Sequence, residues 1–122
     1  MSQDIIADVL NEIMNGKRNR KNSVQVKRYS KLLIEVLNLA KKHGYIEEYK
    51  AGKELEIKFK LNKCKAVKPR FYASINQLDK YIKRFLPARD FGILIISTNK
   101  GLITQEEAYE KNIGGSLIAY FY

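Results

Sequence analysis

Tryptophan is absent from this 122-residue chain, and histidine and cysteine occur once each, at His43 and Cys64. Single copies exclude an internal disulfide and a Cys-rich zinc cluster, and they fit a reducing compartment. A Cys–His nucleophilic pair would rest on these two singletons alone. His43 also ends a helical pattern, where a cationic residue suits the helix dipole. Only two prolines, Pro69 and Pro87, punctuate the chain, and it holds no repeat, low-complexity tract or long linker. No segment approaches the roughly 18 apolar residues of a membrane-spanning helix. The first sixteen residues carry no Lys or Arg, so a secretory leader is not expected. The upstream glycines of a nucleotide-hydrolase phosphate loop are missing before Asn99-Lys100-Gly101. Neighbouring acids, Glu47-Glu48 and Glu106-Glu107, diverge in either a strand or a helix and do not form a two-carboxylate site. The expectation is a protein with no catalytic residue, metal, cofactor or small-molecule substrate.

What the chain does have is positive charge. Lys and Arg total 23 against 13 acids, a formal charge of +10. Such an excess favours a polyanionic partner, through phosphate contact and counterion release. The distribution is uneven. Asp4, Asp8 and Glu12 recur every four residues and share one helical face, which argues against phosphate contact along it. From Lys17 to Lys31 every charge is positive: Lys17, Arg18, Arg20, Lys21, Lys27, Arg28 and Lys31.

Periodicity gives the organisation. Ile5, Ile6, Val9, Leu10 and Ile13 predict a helix over 3–14, stopped by Asn15-Gly16. Val24 and Val26 suggest a short strand after a basic loop. Ser30 is a candidate N-cap for a second helix to His43, with Leu32, Leu33, Val36, Leu37 and Ala40 on its apolar face and Gly44 beyond it. A strand from Tyr45-Ile46, a turn at Ala51-Gly52-Lys53, and alternating Leu55, Ile57, Phe59 and Leu61 make a hairpin. Asn62-Lys63-Cys64-Lys65 reads as the boundary to a second half. There, Val67 to Ser74 is extended, with Pro69 limiting it to an edge or a strand start. Ile75, Leu78, Tyr81, Ile82 and Phe85 form a helical stripe that ends before Pro87. Phe91 to Ile96 is a buried strand. Thr104-Gln105-Glu106-Glu107 is a capping box for a helix to Lys111, and Leu117 to Tyr122 closes the sheet. The predicted fold is α/β (α+β), in two small half-domains. Residues 1–62 form an α-β-α-β-β half, and residues 63–122 a mostly antiparallel sheet with short helices.

Ser97-Thr98-Asn99-Lys100-Gly101 ends the apolar run Ile93-Leu94-Ile95-Ile96. A strand therefore ends in two hydroxyls, an amide, a cation and a glycine, able to offer short donors and backbone N–H groups, with close approach or positive φ at Gly101. The longer pattern is more specific. Gly92, two residues, Ile95-Ile96-Ser97-Thr98, two residues, Gly101-Leu102-Ile103, four residues and Ala108 resemble the signature of the small-subunit ribosomal protein eight family. Leu61-Asn62-Lys63-Cys64, Lys68-Pro69-Arg70-Phe71 and Leu86-Pro87-Ala88-Arg89-Asp90-Phe91-Gly92 resemble its archaeal and eukaryotic branch. Lys42-His43-Gly44-Tyr45-Ile46, Gly114-Gly115 and the aromatic C-terminus also fit, so the resemblance covers most of the chain.

The resemblance implies a cytoplasmic, non-enzymatic constituent of the small ribosomal subunit. Such a protein binds the central domain of small-subunit rRNA, touches neighbouring small-subunit proteins and scaffolds assembly. The alternative is an RNA-binding regulator outside the ribosome, since some bacterial members bind their own mRNA. By the resemblance, the 97–101 turn and the Gly114-Gly115 region form much of the RNA site of the second half. Hydroxyls suit the sugar-rich minor groove of A-form RNA, Lys100 suits phosphate, and Gly101 keeps bulk away from the nucleotide. Asn99 stands where the family often has Ser or Thr, and Ser116 where many bacterial members carry Glu. Lys27, Arg28, Tyr29 and Lys31 are further RNA candidates, as are Lys68 and Arg70 in the Lys-Pro-Arg-Phe segment. Most other aromatics fall on apolar stripes and are assigned to the core. Tyr29 is the aromatic chosen for nucleotide contact.

Overall fold

The computed structural model describes residues 5–27, 29–67, 72–87 and 91–122. It divides into two compact units at Lys65/Ala66. The first unit carries α1 (Ile5–Arg18), β1 (Ser23–Val26), α2 (Lys31–Lys42), β2 (Ile46–Ala51) and β3 (Leu55–Phe59). Its sheet has the order β1-β3-β2, with both pairings antiparallel. Alternate residues Leu55, Ile57 and Phe59 are buried with the stripes Ile6, Val9, Leu10, Ile13 and Leu33, Val36, Leu37, Ala40. The two amphipathic helices thus cover one sheet face, and Glu48 and Lys58 pair at 3.1 Å on the exposed one. Leu61, expected to extend the alternation, lies past the end of β3.

Both helix ends in this unit follow side-chain chemistry. Ser30 Oγ accepts the Leu33 N–H at 3.2 Å and starts α2. At its other end Gly44, at φ +88, donates to Lys41 O, and Tyr45 N–H donates to Ala40 O. That pair of bonds is a Schellman motif. The first helix departs from expectation: it runs through Asn15-Gly16 to Arg18. Gly16 is not a stop. A β-carbon there would lie 2.7 Å from Val24 Cγ1, so the glycine lets helix and strand approach. Lys17 and Arg18 therefore belong to the last helical turn, where cations suit the dipole, rather than to a loop.

Strand β4 (Cys64–Ala66) spans the boundary between units. In the first unit, the Cys64 thiol lies 3.6 Å from Leu10 O, and burial pushes it up to about 12. It is a neutral thiol at physiological pH.

The second unit carries β5 (Tyr72–Ala73), α3 (Leu78–Phe85), β6 (Ile93–Thr98), β7 (Gly101–Ile103), α4 (Gln105–Lys111) and β8 (Gly115–Phe121). Its sheet runs β4-β8-β6-β7, with β5 also on β8; just past β4, the Val67 N–H donates to Ile118 O. The pairings of β8 with β5 and β6, and of β6 with β7, are antiparallel. Leu78 and Ile82 of α3 and Ala108 of α4 pack with Leu94, Ile96, Ile103 and Leu117 of the sheet. The mixed α+β architecture expected from periodicity is the one observed. Phe91, expected in the buried strand, is 48% exposed and precedes it.

The capping box is not formed. Thr104 is buried and makes no side-chain capping bond. The next residue does other work: Gln105 Oε1 accepts the Leu94 N–H at 2.8 Å, and its Nε2 donates to Gly92 O at 3.0 Å. A buried amide thus satisfies the backbone at the start of β6, which is paired with β8 there but not yet with β7. Gln105→Ala should orphan both groups and lower stability by about 2–3 kcal/mol, as read by urea denaturation. Gln105→Glu should be no better, because it replaces the donor to Gly92 with an acceptor.

Candidate nucleic-acid interface

The Ser-Thr-Asn-Lys-Gly segment is the tip of the β6–β7 hairpin. Thr98 pairs with Gly101, leaving Asn99 and Lys100 as the loop. Gly101 has φ +104 and no atom within 4 Å of where a β-carbon would stand. Of the two reasons for a glycine there, backbone conformation is the one its surroundings support. Thr98 Oγ1 accepts the Lys100 N–H at 3.1 Å and donates to Gly101 O at 2.9 Å, which braces the tip from inside.

Beside the hairpin, strand register builds a polar row. Tyr72 pairs with Ser116, and Ser116 with Ser97. Paired residues share a face of a sheet, so three hydroxyls from three strands stand side by side. None of these three side chains makes a hydrogen bond among the described residues. Tyr72 is 65% exposed. Asn112 closes α4 in the left-handed region, at φ 55 and ψ 45, and brings the chain round to Gly114. The row, the hairpin tip and the 112–115 segment enclose an open hollow of about 640 Å³. Among the described residues, Lys100 is its one charged lining residue and no acid lines it.

Gly114 and Gly115 hold the base of this hollow. A β-carbon at Gly114 would overlap Ala73 O and stand 2.8 Å from Ser74 Cα. One at Gly115 would overlap Ser97 O and stand 2.9 Å from Ile96 Cγ2. Their missing side chains thus let β5, β8 and β6 meet at backbone distance.

The structure brings Ser97, Thr98, Asn99, Lys100, Gly114 and Gly115 together around that hollow, and Gly101, paired with Thr98, closes the hairpin tip without lining it. Lys27, Tyr29 and Lys31 lie in the first unit. Lys27 and Lys31 are exposed. The Tyr29 hydroxyl donates to Gly52 O at 2.7 Å, pinning the entrance of α2 to the β2–β3 turn. Arg28, Lys68 and Arg70 lie outside the described residues. Six lining residues of the hollow escaped the sequence as site residues: Ser74, Ile75 and Ile113, and with them Tyr72, Asn112 and Ser116. Asn112 had a readable signal, an Asn closing a helix before a glycine pair. Tyr72 and Ser116 had none, because their proximity to Ser97 exists only through pairing register.

A hollow lined by hydroxyls and amides under one cation is suited to a folded polyanion rich in sugar hydroxyls. Comparison with known proteins shows the family. The family described as Ribosomal protein S8 matches residues 4–122. The chain belongs to that family. Three relatives span the same length. "Small ribosomal subunit protein uS8" of Nanoarchaeum equitans is 43% identical and that of Archaeoglobus fulgidus 40%, each over the whole of both chains. "Small ribosomal subunit protein uS8A" of Schizosaccharomyces pombe is 32% identical over 98% of each. Members of the ribosomal protein S8 family thus include archaeal and eukaryotic relatives of this chain, as the Lys-Pro-Arg-Phe and Leu-Pro-Ala-Arg-Asp segments led one to expect.

Proposed function

We propose that this family member is a structural, non-enzymatic component of the cytoplasmic small ribosomal subunit. It holds a folded segment of the central domain of small-subunit rRNA and scaffolds assembly beside neighbouring proteins. The observation that carries the RNA contact is the row Tyr72–Ser116–Ser97, three hydroxyls without a partner among the described residues, standing next to Lys100. Hydroxyls donate and accept, so they match 2′-hydroxyls and base edges in a shallow minor groove or an irregular loop. Lys100 adds attraction to phosphate, and the braced tip fixes its origin. Recognition by short groups on a rigid sheet reads RNA shape rather than a long sequence. Residues 63–122 form the principal RNA-binding half in this reading, and Lys27, Arg28, Lys31, Lys68 and Arg70 add backbone attraction.

Filter binding of a central-domain rRNA transcript, against a random duplex of equal length, tests the reading. The transcript should bind at least about a hundredfold tighter at physiological salt, the low end of specific over non-specific discrimination being near a thousandfold for DNA readers. Equal affinity for both would overturn it. The same assay gives a salt series. Of the first basic stretch, Lys17 Nζ already donates to Leu61 O and Arg18 to Asn15 Oδ1. Arg20 and Lys21 are exposed and carry no such bond among the described residues. Replacing both with Gln should reduce the slope of log affinity against log salt by roughly one to two. An unchanged slope would place this turn away from phosphate.

A further inference from the structure

A trough along α1 and the outer edge of β1 lies wholly within the first unit. Its first stretch, about 330 Å³, lies over Val9 and Val26, which are buried, with exposed Asp8 and Glu12 on the helix side and exposed Gln25 on the strand side. A second stretch, about 440 Å³, shares Glu12 and Gln25 with the first and adds Glu56. The two therefore run on from one another.

Strand β1 is an edge strand, paired only with β3 among the described residues. Its free side can be assigned. Asn22 O accepts the Phe59 N–H at 3.0 Å. Backbone direction alternates along an antiparallel pair, so Asn22, Val24 and Val26 turn their N–H and C=O toward β3. Ser23 and Gln25 turn theirs outward, into the trough. A strand edge is thus open beside an apolar floor and a line of acids.

The charge identifies the occupant. On a chain of formal charge +10, this trough presents Asp8, Glu12 and Glu56, with Lys21 and Lys27 only at its two ends. Those lysines guard the edge against indiscriminate pairing. Nucleic acid meets like charge along the middle. A second copy would bring Ser23–Val26, four uncharged residues that leave the acids unmatched.

We propose that this trough binds an extended, lysine-rich segment of a partner protein, which adds to the edge of β1 as a fourth strand. Main-chain bonds to Ser23 and Gln25 supply affinity. Lysine stems lie over Ile5 and Val9 while their ammonium groups reach Asp8 and Glu12. The proposal concerns the first unit alone and does not rest on the RNA reading.

The test uses the full chain and a fluorescein-labelled eight-residue peptide alternating Lys and Val, with an alternating Glu and Val peptide beside it. The Lys-Val peptide should bind at low salt and the Glu-Val peptide should not. Amide exchange should slow at Gln25 and stay unchanged at Val24, whose N–H already faces β3. Asp8→Lys with Glu12→Lys should weaken binding more than tenfold. If that double variant loses its native spectrum, Asp8→Asn with Glu12→Gln replaces it and should weaken binding at least threefold. Gln25→Pro removes an outward N–H and no bond to β3; with native circular dichroism it too should weaken binding more than tenfold. Undiminished binding by the charge variants would overturn the proposal, and so would undiminished binding by a natively folded Gln25→Pro chain. A concentration-dependent dimer abolished by Gln25→Pro would give the edge to a second copy. An RNA duplex bound less well by the natively folded Gln25→Pro chain would give it to RNA. Either result also refutes the peptide.

Discussion

Gly115→Ala should lower the thermal midpoint by about 10 °C, on the basis of roughly 2–3 kcal/mol for overpacking a close contact and about 4 °C per kcal/mol at this size. The added methyl has nowhere to go. It would overlap Ser97 O, which is backbone, and crowd Ile96 Cγ2 at 2.9 Å, which belongs to a fully buried side chain. Neither neighbour is the free end of a flexible chain. Relief requires β8 to move away from β6, and that movement separates Ser116 from Ser97. The same substitution should therefore weaken the rRNA transcript at least about tenfold, the loss expected from one good contact of about 1.4 kcal/mol. Gly52→Ala is the control. Its β-carbon would meet nothing closer than Glu54 O at 3.9 Å, and its φ is ordinary. Stability should change there by no more than about 0.5 kcal/mol. Similar losses at the two glycines would show that flexibility in general, rather than the β6–β8 contact, is what Gly115 provides.

Glycines mark where sequence reasoning succeeded and where it stopped. Gly44 was legible: a glycine after a helical stripe and two lysines predicts a left-handed cap, and the Schellman bonds are there. Gly16 looked the same, after Asn15 at the end of a stripe, yet it lies within α1 because Val24 packs against it. Both glycines follow an apolar stripe, and the contact with Val24 is what keeps Gly16 inside the helix. The capping box at Thr104 failed for a related reason. Burial placed Thr104 in the interior and turned Gln105 toward Leu94 and Gly92, a partnership eleven to thirteen residues away in sequence. Alternation and the 3.6 period, by contrast, act within a few residues. They gave the order of helices and strands and the stripes that became core.

The candidate site divides along the same line. Its hairpin tip is contiguous and could be read directly as Ser97 to Gly101. Its hydroxyl row is assembled from β5, β8 and β6, and no local pattern announces that Tyr72 and Ser116 lie in line with Ser97. Aromatic residues illustrate the point. Tyr29, set among cations, is legible as a candidate nucleotide contact, and the structure adds that its hydroxyl bonds Gly52 O, a partner no local pattern announces. Tyr72, in a short strand beside undescribed residues, is the exposed ring of the hollow.

Replacing Ser97 and Thr98 together by Ala should weaken the specific transcript about a hundredfold and a random duplex less than threefold. Two lost hydroxyl interactions of about 1.4 kcal/mol each give the first figure, and sequence-independent attraction resides in the cations left untouched. The two residues reach that result by different routes. The Ser97 hydroxyl has no partner among the described residues, so Ser97→Ala removes a group facing the RNA and should leave the melting temperature within about 2 °C. Thr98 spends its hydroxyl inside the tip, on Lys100 N–H and Gly101 O. Thr98→Ala therefore loosens the loop that aims Asn99 and Lys100. Thr98→Ser keeps both bonds and should restore most of the affinity, whereas Ser97→Thr adds a methyl in the row between Ser116 and Leu102 and should not. Equal losses on transcript and random duplex would remove the hydroxyls from recognition. Failure of Thr98→Ser to rescue would mean that Thr98 acts by its methyl or by direct contact, and that the tip is held by Gly101 and strand pairing alone.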